Sequence, residues 1–144
     1  MKEQAFIDQL QNDKIVAAIG AAEAKTSGEI RVFISRKEIT DPVATAQAEF
    51  TRLGMTKTAE RNGVLIFVAP RSQKFAIIGD EGIHQHCGEK FWLEVAEQMT
   101  THFKKSEFTA GIVHAIEKAG TLLAEHFPHR DDDKNELPDA VERD

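Results

Sequence analysis

The alternation of apolar and polar positions divides the chain into seven segments. Ile15, Ala18, Ile19 and Ala22 recur at the 3, 1, 3 spacing of one helical face, with Asn12 placed as an N-cap. Thr26-Ser27-Gly28 ends that helix. From Glu29 to Ser35 the period becomes two, with Ile30, Val32 and Ile34 on one face and Glu29, Arg31 and Ser35 on the other. Phe33 interrupts the polar face, so that side is expected to be covered as well. Asp41-Pro42 starts a second helix, Asp as N-cap and Pro in the first turn, which runs through Phe50 and Leu53 and stops near Gly54.

Val64-Leu65-Ile66-Phe67-Val68 is apolar on both faces, as a central strand covered from two sides must be. Pro70-Arg71-Ser72-Gln73 makes a turn, and Phe75-Ala76-Ile77-Ile78 returns as a strand. Two helices follow. One presents Trp92, Val95, Ala96, Met99 and Phe103; the other starts after Ser106 and presents Phe108, Ile112, Ala115, Ile116, Ala119, Leu122 and Leu123.

The order helix, strand, helix, strand, strand, helix, helix predicts a right-handed βαβ unit with a parallel strand pair, extended by an antiparallel hairpin strand. Helices must cover both faces of that mixed sheet. The expected class is therefore α/β, a three-layer α/β/α sandwich over residues 1–127, followed by an acidic polar tail over 128–144.

Composition narrows the function. Across 144 residues, 24 acidic side chains outnumber 18 Lys and Arg, a formal charge of −6. That balance opposes general nucleic-acid binding, which needs cations to neutralise phosphates, and favours a cationic partner. No apolar run approaches the roughly 18 residues of a membrane span. Met1 to Asp8 lacks the apolar stretch of a signal peptide, so a cytoplasmic location is expected. The single cysteine, Cys87, excludes an internal disulfide and a Cys-only metal site.

The topology brings distant residues to one edge. The two parallel strands begin where the antiparallel strand ends, so Glu29, Arg61, Asn62, Asp80 and Glu81 are expected to converge. Carboxylate and amide oxygens are hard ligands suited to Ca²⁺ or Mg²⁺. The simpler alternative is that Arg61 pairs with one carboxylate while Gly28, Gly63, Gly79 and Gly82 make turns. The opposite edge, at the carboxyl ends of the parallel strands near Arg36, Lys37, Asp41 and Arg71, is cationic and suits an anion.

Other motifs carry less. His84 and His86 would lie on one side of an extended segment, and Cys87 could add a thiolate for zinc, but the usual structural-zinc spacings are absent. Two solvent-facing histidines beside a small buried cysteine is the preferred reading. In the tail, Asp131, Asp133, Asn135, Asp139 and Glu142 match oxygen positions of a calcium loop, although Glu136 stands where that loop needs glycine. No Gly-x-Ser-x-Gly elbow or phosphate-cradling loop occurs, and Leu93 replaces the arginine of a cysteine-phosphatase loop. Metal-activated water would be the credible nucleophile of any enzyme here.

Thr26-Ser27-Gly28-Glu29-Ile30, Arg61-Asn62-Gly63-Val64-Leu65-Ile66 and Ile77-Ile78-Gly79-Asp80-Glu81-Gly82-Ile83 together resemble the TPM domain of bacterial and thylakoid-lumen photosystem II repair proteins. Phe91-Trp92, Met99, Phe103-Lys104, Gly111, His126-Phe127-Pro128 and Asn135 to Asp139 resemble its stand-alone bacterial members. The resemblance covers roughly 12–139. It implies an α/β/α sandwich, divalent-cation binding, commonly calcium, and the acid-phosphatase activity attributed to plant lumenal members. Carried onto this chain, it points to Glu29, Asn62, Asp80 and Glu81 as metal ligands, with Asp131 and Asp133 added if the tail folds back. The function expected is a cation-binding regulatory or protein-interaction module. The alternative is a metal-dependent phosphatase in which Arg61 binds phosphate.

Overall fold

A computed structural model describes residues 10–128 and 141–143. Its elements are α1 (Asn12–Glu23), β1 (Glu29–Ile34), α2 (Pro42–Arg52), β2 (Gly63–Ala69), β3 (Lys74–Gly79), α3 (Glu81–His84), α4 (Glu89–Lys104), α5 (Phe108–His126) and β4 (Val141–Arg143). The sheet runs β3-β2-β1-β4. β1 and β2 are parallel, with Glu29 opposite Gly63 and Ile34 opposite Val68, and β3 returns antiparallel from Lys74 opposite Ala69 to Gly79 opposite Val64. The mixed sheet with helices on both faces is the sandwich that the hydrophobic pattern predicts.

Every residue of β1 and β2 is buried. Ile30, Val32, Ile34, Val64, Ile66 and Val68 face one core, shared with α1, α4 and α5. Phe33, Leu65, Phe67 and Ala69 face a second core with Ala46 and Phe50 of α2 and Met55. Phe33 stacks on Phe67 at 5.7 Å between centroids, the covered side that its interruption of the polar face predicts. Asp41 caps α2 by accepting a bond from the Ala44 amide at 3.1 Å, and Gly54 ends the segment at φ 76°.

Three local expectations change. Gln11, rather than Asn12, is the N-cap of α1, and it makes no side-chain cap bond. Residues 81–84 are a helical turn, not an extended segment, because the Asp80 carboxylate accepts the Glu81 amide at 2.8 Å and starts a helix there. The third change is β4. Val141–Arg143 pairs parallel with β1 as a fourth strand, inside the stretch expected only as an acidic polar tail. Its physical cause is the exposed edge that β1 would otherwise present. Arg31 is a buried charge on that strand, and Glu142 is its ion-pair partner. The tail residues Asp131 and Asp133 lie outside the described residues.

No helix among the described residues is long and apolar enough to cross a membrane. At Gly120 a Cβ would stand 2.7 Å from that of Ala22, so α1 and α5 touch through small residues. Gly120→Leu is expected to cost about 1–3 kcal/mol through overpacking, read as a lower urea midpoint.

α4 and α5 also carry a pH-sensitive contact. His114 lies against Gln98, and burial, with Lys118 and His102 adding positive charge, lowers its pKa below 6.5. The unfolded chain then takes up the proton first as pH falls, so stability is full above 6.5 and declines below it. A denaturation series from pH 7 to 5 should show that decline, and His114→Gln should flatten it.

Candidate functional site

The site is assembled at the edge where β1 and β2 start and β3 ends. Arg61 sits in the left-handed region, φ 52°, an uncommon state for a residue with a Cβ. Three hydrogen bonds hold it there. Its carbonyl accepts the Gly82 amide at 3.0 Å, and its guanidinium forks onto Asp80, Nε to Oδ2 at 2.8 Å and Nη2 to Oδ1 at 2.9 Å. Nη1 lies 3.3 Å from Glu81 Oε1. The hydrogen bond to Asp80, with the charges of Asp80 and Glu81, raises the guanidinium pKa above its ordinary value.

Asp80 is the pivot. Its side chain is 6% exposed, its amide donates to Gly63 O at 3.0 Å, and its Oδ1 serves both Arg61 and the α3 amide. Gly82 has no room for a side chain: a Cβ would lie 2.6 Å from Arg61 O and closer still to Glu60 O. The 58–63 loop and the start of α3 therefore meet backbone to backbone.

Asn62 belongs to a neighbouring set. It is buried, its amide donates to Thr58 Oγ1 at 3.2 Å, and its Nδ2 donates to Ser27 Oγ at 3.2 Å and Glu60 Oε2 at 3.4 Å. Ser27 Oγ in turn donates to Glu60 Oε2 at 3.0 Å. Thr26 ties this loop to the end of α5, its hydroxyl donating to Leu123 O and Phe127 O. Sequence reasoning missed Ser27, Thr58 and Glu60. Glu60 directly precedes Arg61-Asn62, but only residues at strand ends entered the expected cluster.

Of the expected ligands, Asp80 and Glu81 are brought together, both on Arg61. Glu29 is buried at the start of β1, one strand beyond Gly63. The space over Gly63 is filled, since a Cβ there would lie 3.3 Å from Met55 O and 3.5 Å from Phe50 Cζ. Among the described residues no three His, Cys, Asp or Glu side chains are gathered as a metal site. The donors at this edge are hard oxygens suited to Ca²⁺ or Mg²⁺, yet guanidinium nitrogens now face them. The set fits a divalent cation only with Arg61 turned outward, and Arg61 is 41% exposed.

The histidine–cysteine segment is not a cluster. His84 and His86 are exposed, and His86 stacks on His126 at 4.4 Å. Cys87 is half-buried; burial raises its pKa, partly offset by the neighbouring Trp92, so the thiol is a poor nucleophile. At the opposite edge Arg36, Lys37 and Arg71 are exposed, while Asp41 is spent as the α2 cap.

The TPM domain family model matches residues 1–122. The NMR structure of the BA42 protein from the psychrophilic bacterium Bizionia argentinensis is similar at 39% identity and a TM-score of 0.85, covering 94% of this chain and 96% of that one. The N-terminal domain of the cg2496 protein from Corynebacterium glutamicum shares the fold at 16% identity, TM-score 0.60, over 77% of this chain and 70% of that one. An N-terminal domain from P. gingivalis does so at 13% identity, TM-score 0.56, over 79% and 75%. No curated protein matches.

The backbone contact at Gly82 is testable by itself. Gly82→Ala should lose about 1–3 kcal/mol by forcing α3 away from the 58–63 loop. Gly88→Ala, with nothing within 4 Å of the added carbon, should leave the thermal midpoint nearly unchanged.

Proposed function

This chain belongs to the TPM-domain family, and from that footing we propose that it is a non-enzymatic interaction module whose acidic edge takes up a divalent cation, Ca²⁺ before Mg²⁺. Asp80 and Glu81 would hold the ion, with Asn62 and Glu29 behind them; Asp131 and Asp133 remain candidates from the tail. When bound, the ion would supply the positive charge that Arg61 now supplies.

The observation that carries this reading is the Arg61 fork on Asp80. A buried carboxylate keeps a cation beside it, and here that cation is a half-exposed side chain held at a left-handed backbone position. Such a partner can be exchanged. Freeing the guanidinium would also release the 58–63 loop, which is hydrogen-bonded to Ser27 and to Gly82. A change at Asp80 thereby reaches the three loops that form this end of the molecule, a surface suited to recognition by another protein.

The alternative reading, phosphomonoester hydrolysis, would need the Arg61 fork for phosphate. All three guanidinium nitrogens face Asp80 or Glu81.

Calorimetric titration with Ca²⁺ and then Mg²⁺ tests the proposal. Saturable calcium binding is expected, weakened at least about tenfold in Asp80→Asn. Arg61→Gln should bind several-fold more tightly, since the competing cation is gone. No heat at millimolar ion, or an unchanged affinity in Asp80→Asn, would overturn it.

A further inference from the structure

We propose that a cavity at the far end of the sheet binds a small amphipathic monoanion, an aryl or acyl body bearing a carboxylate. This lies beyond the cation reading and does not depend on it. The cavity has a volume of about 420 Å³ and opens at the carboxyl end of β2, between the start of β3 and the α4–α5 junction. That size falls within the range of small-molecule sites, and the carboxyl end of parallel strands is where α/β sheets hold ligands.

Its walls divide by chemistry. Phe75, Phe103 and Phe108 supply aromatic surface, Phe103 meeting Phe75 edge-on at 5.7 Å and Phe108 at 5.9 Å. Phe103 rests on Gly111, where a Cβ would come within 2.8 Å of Cε1, so the ring is seated against α5. Lys74 and Lys104 supply charge, and no lining residue is acidic. Lys74 Nζ donates once, to Thr40 O at 2.8 Å, leaving two of its protons for a ligand. Among the described residues no carboxylate pairs with either lysine.

The carboxyl end of α4 does not oppose an anion there. Phe103 O accepts the Ser106 amide at 3.0 Å, and His102 O accepts the amides of Lys105 at 3.0 Å and Glu107 at 2.9 Å. Ser106 and Gln73, both in the cavity wall, adopt φ of 62° and 53°. Two left-handed non-glycine residues in one wall are a cost of the kind that accumulates at binding sites. Apolar rings want an apolar body. Two ammonium groups without an arginine fork offer point charges to an anion, and a single carboxylate is the head group that the apolar walls leave room for.

The test is an amide-resolved NMR titration of the full chain with 2-naphthoate and with its neutral isostere 2-naphthamide. Saturable shifts confined to residues 68–75 and 100–111 are expected for the acid, with the amide weaker by about tenfold. Lys74→Gln with Lys104→Gln, both at exposed positions, should bring the acid down to the level of the amide. Absence of saturation at millimolar acid, shifts scattered over the molecule, or equal binding of acid and amide would each overturn the proposal.

Discussion

Burial of the β1–β2 pair from both sides is the constraint on which this molecule depends. All thirteen residues of the pair, six in β1 and seven in β2, are buried. Such a pair cannot stand with one face in water, so α2 must cover one side and α1, α4 and α5 the other. The same condition acts on the few charged residues it contains. Glu29 and Arg31 are carried into the interior by the strand, and Arg31 obtains an ion-pair partner when β4 brings Glu142 to the sheet. Chain that would otherwise be tail is thus recruited by the need to cover an edge and compensate a charge.

At the amino edge the same logic yields a site with its own cation. Gly63, at the start of β2, is overlain by Met55 and Phe50. Asp80, nearly buried, demands positive charge and receives it from Arg61. Ser27, Glu60 and Asn62 form a second hydrogen-bonded set. Both sets depend on the 58–63 loop, so pairing at Asp80 and the conformation of Asn62 are mechanically joined through three consecutive residues.

Much of this was legible in the sequence. A continuous apolar run at 64–68 can hardly be anything but a doubly covered strand, and the Asp41-Pro42 start follows from local chemistry. The convergence of Arg61, Asp80 and Glu81 follows from topology, because parallel and antiparallel pairing fix which strand ends meet. What could not be read is what lies between ends. That Met55 and Phe50 fill the space over Gly63 is a matter of tertiary packing, with no periodic signature. Glu60 was missed because its role arises from a loop folding back on Ser27, thirty-three positions away. The helical turn at 81–84 depends on one cap bond from Asp80, which the neighbouring His-x-His spacing disguised as a strand.

The two ends of the sheet are electrostatically separate for a physical reason. A strand of six or seven residues at about 3.3 Å per residue holds them roughly 20 Å apart, more than twice the screening length of about 8 Å at physiological salt. Charge at Asp80 is therefore weakly felt at Lys74 and Lys104 through solvent. Mechanical coupling would have to pass along β2, whose side chains are close-packed in both cores. A chain of net charge −6 nevertheless gathers lysines around an apolar cavity at one end of its sheet, with its Asp80–Arg61 pair at the other.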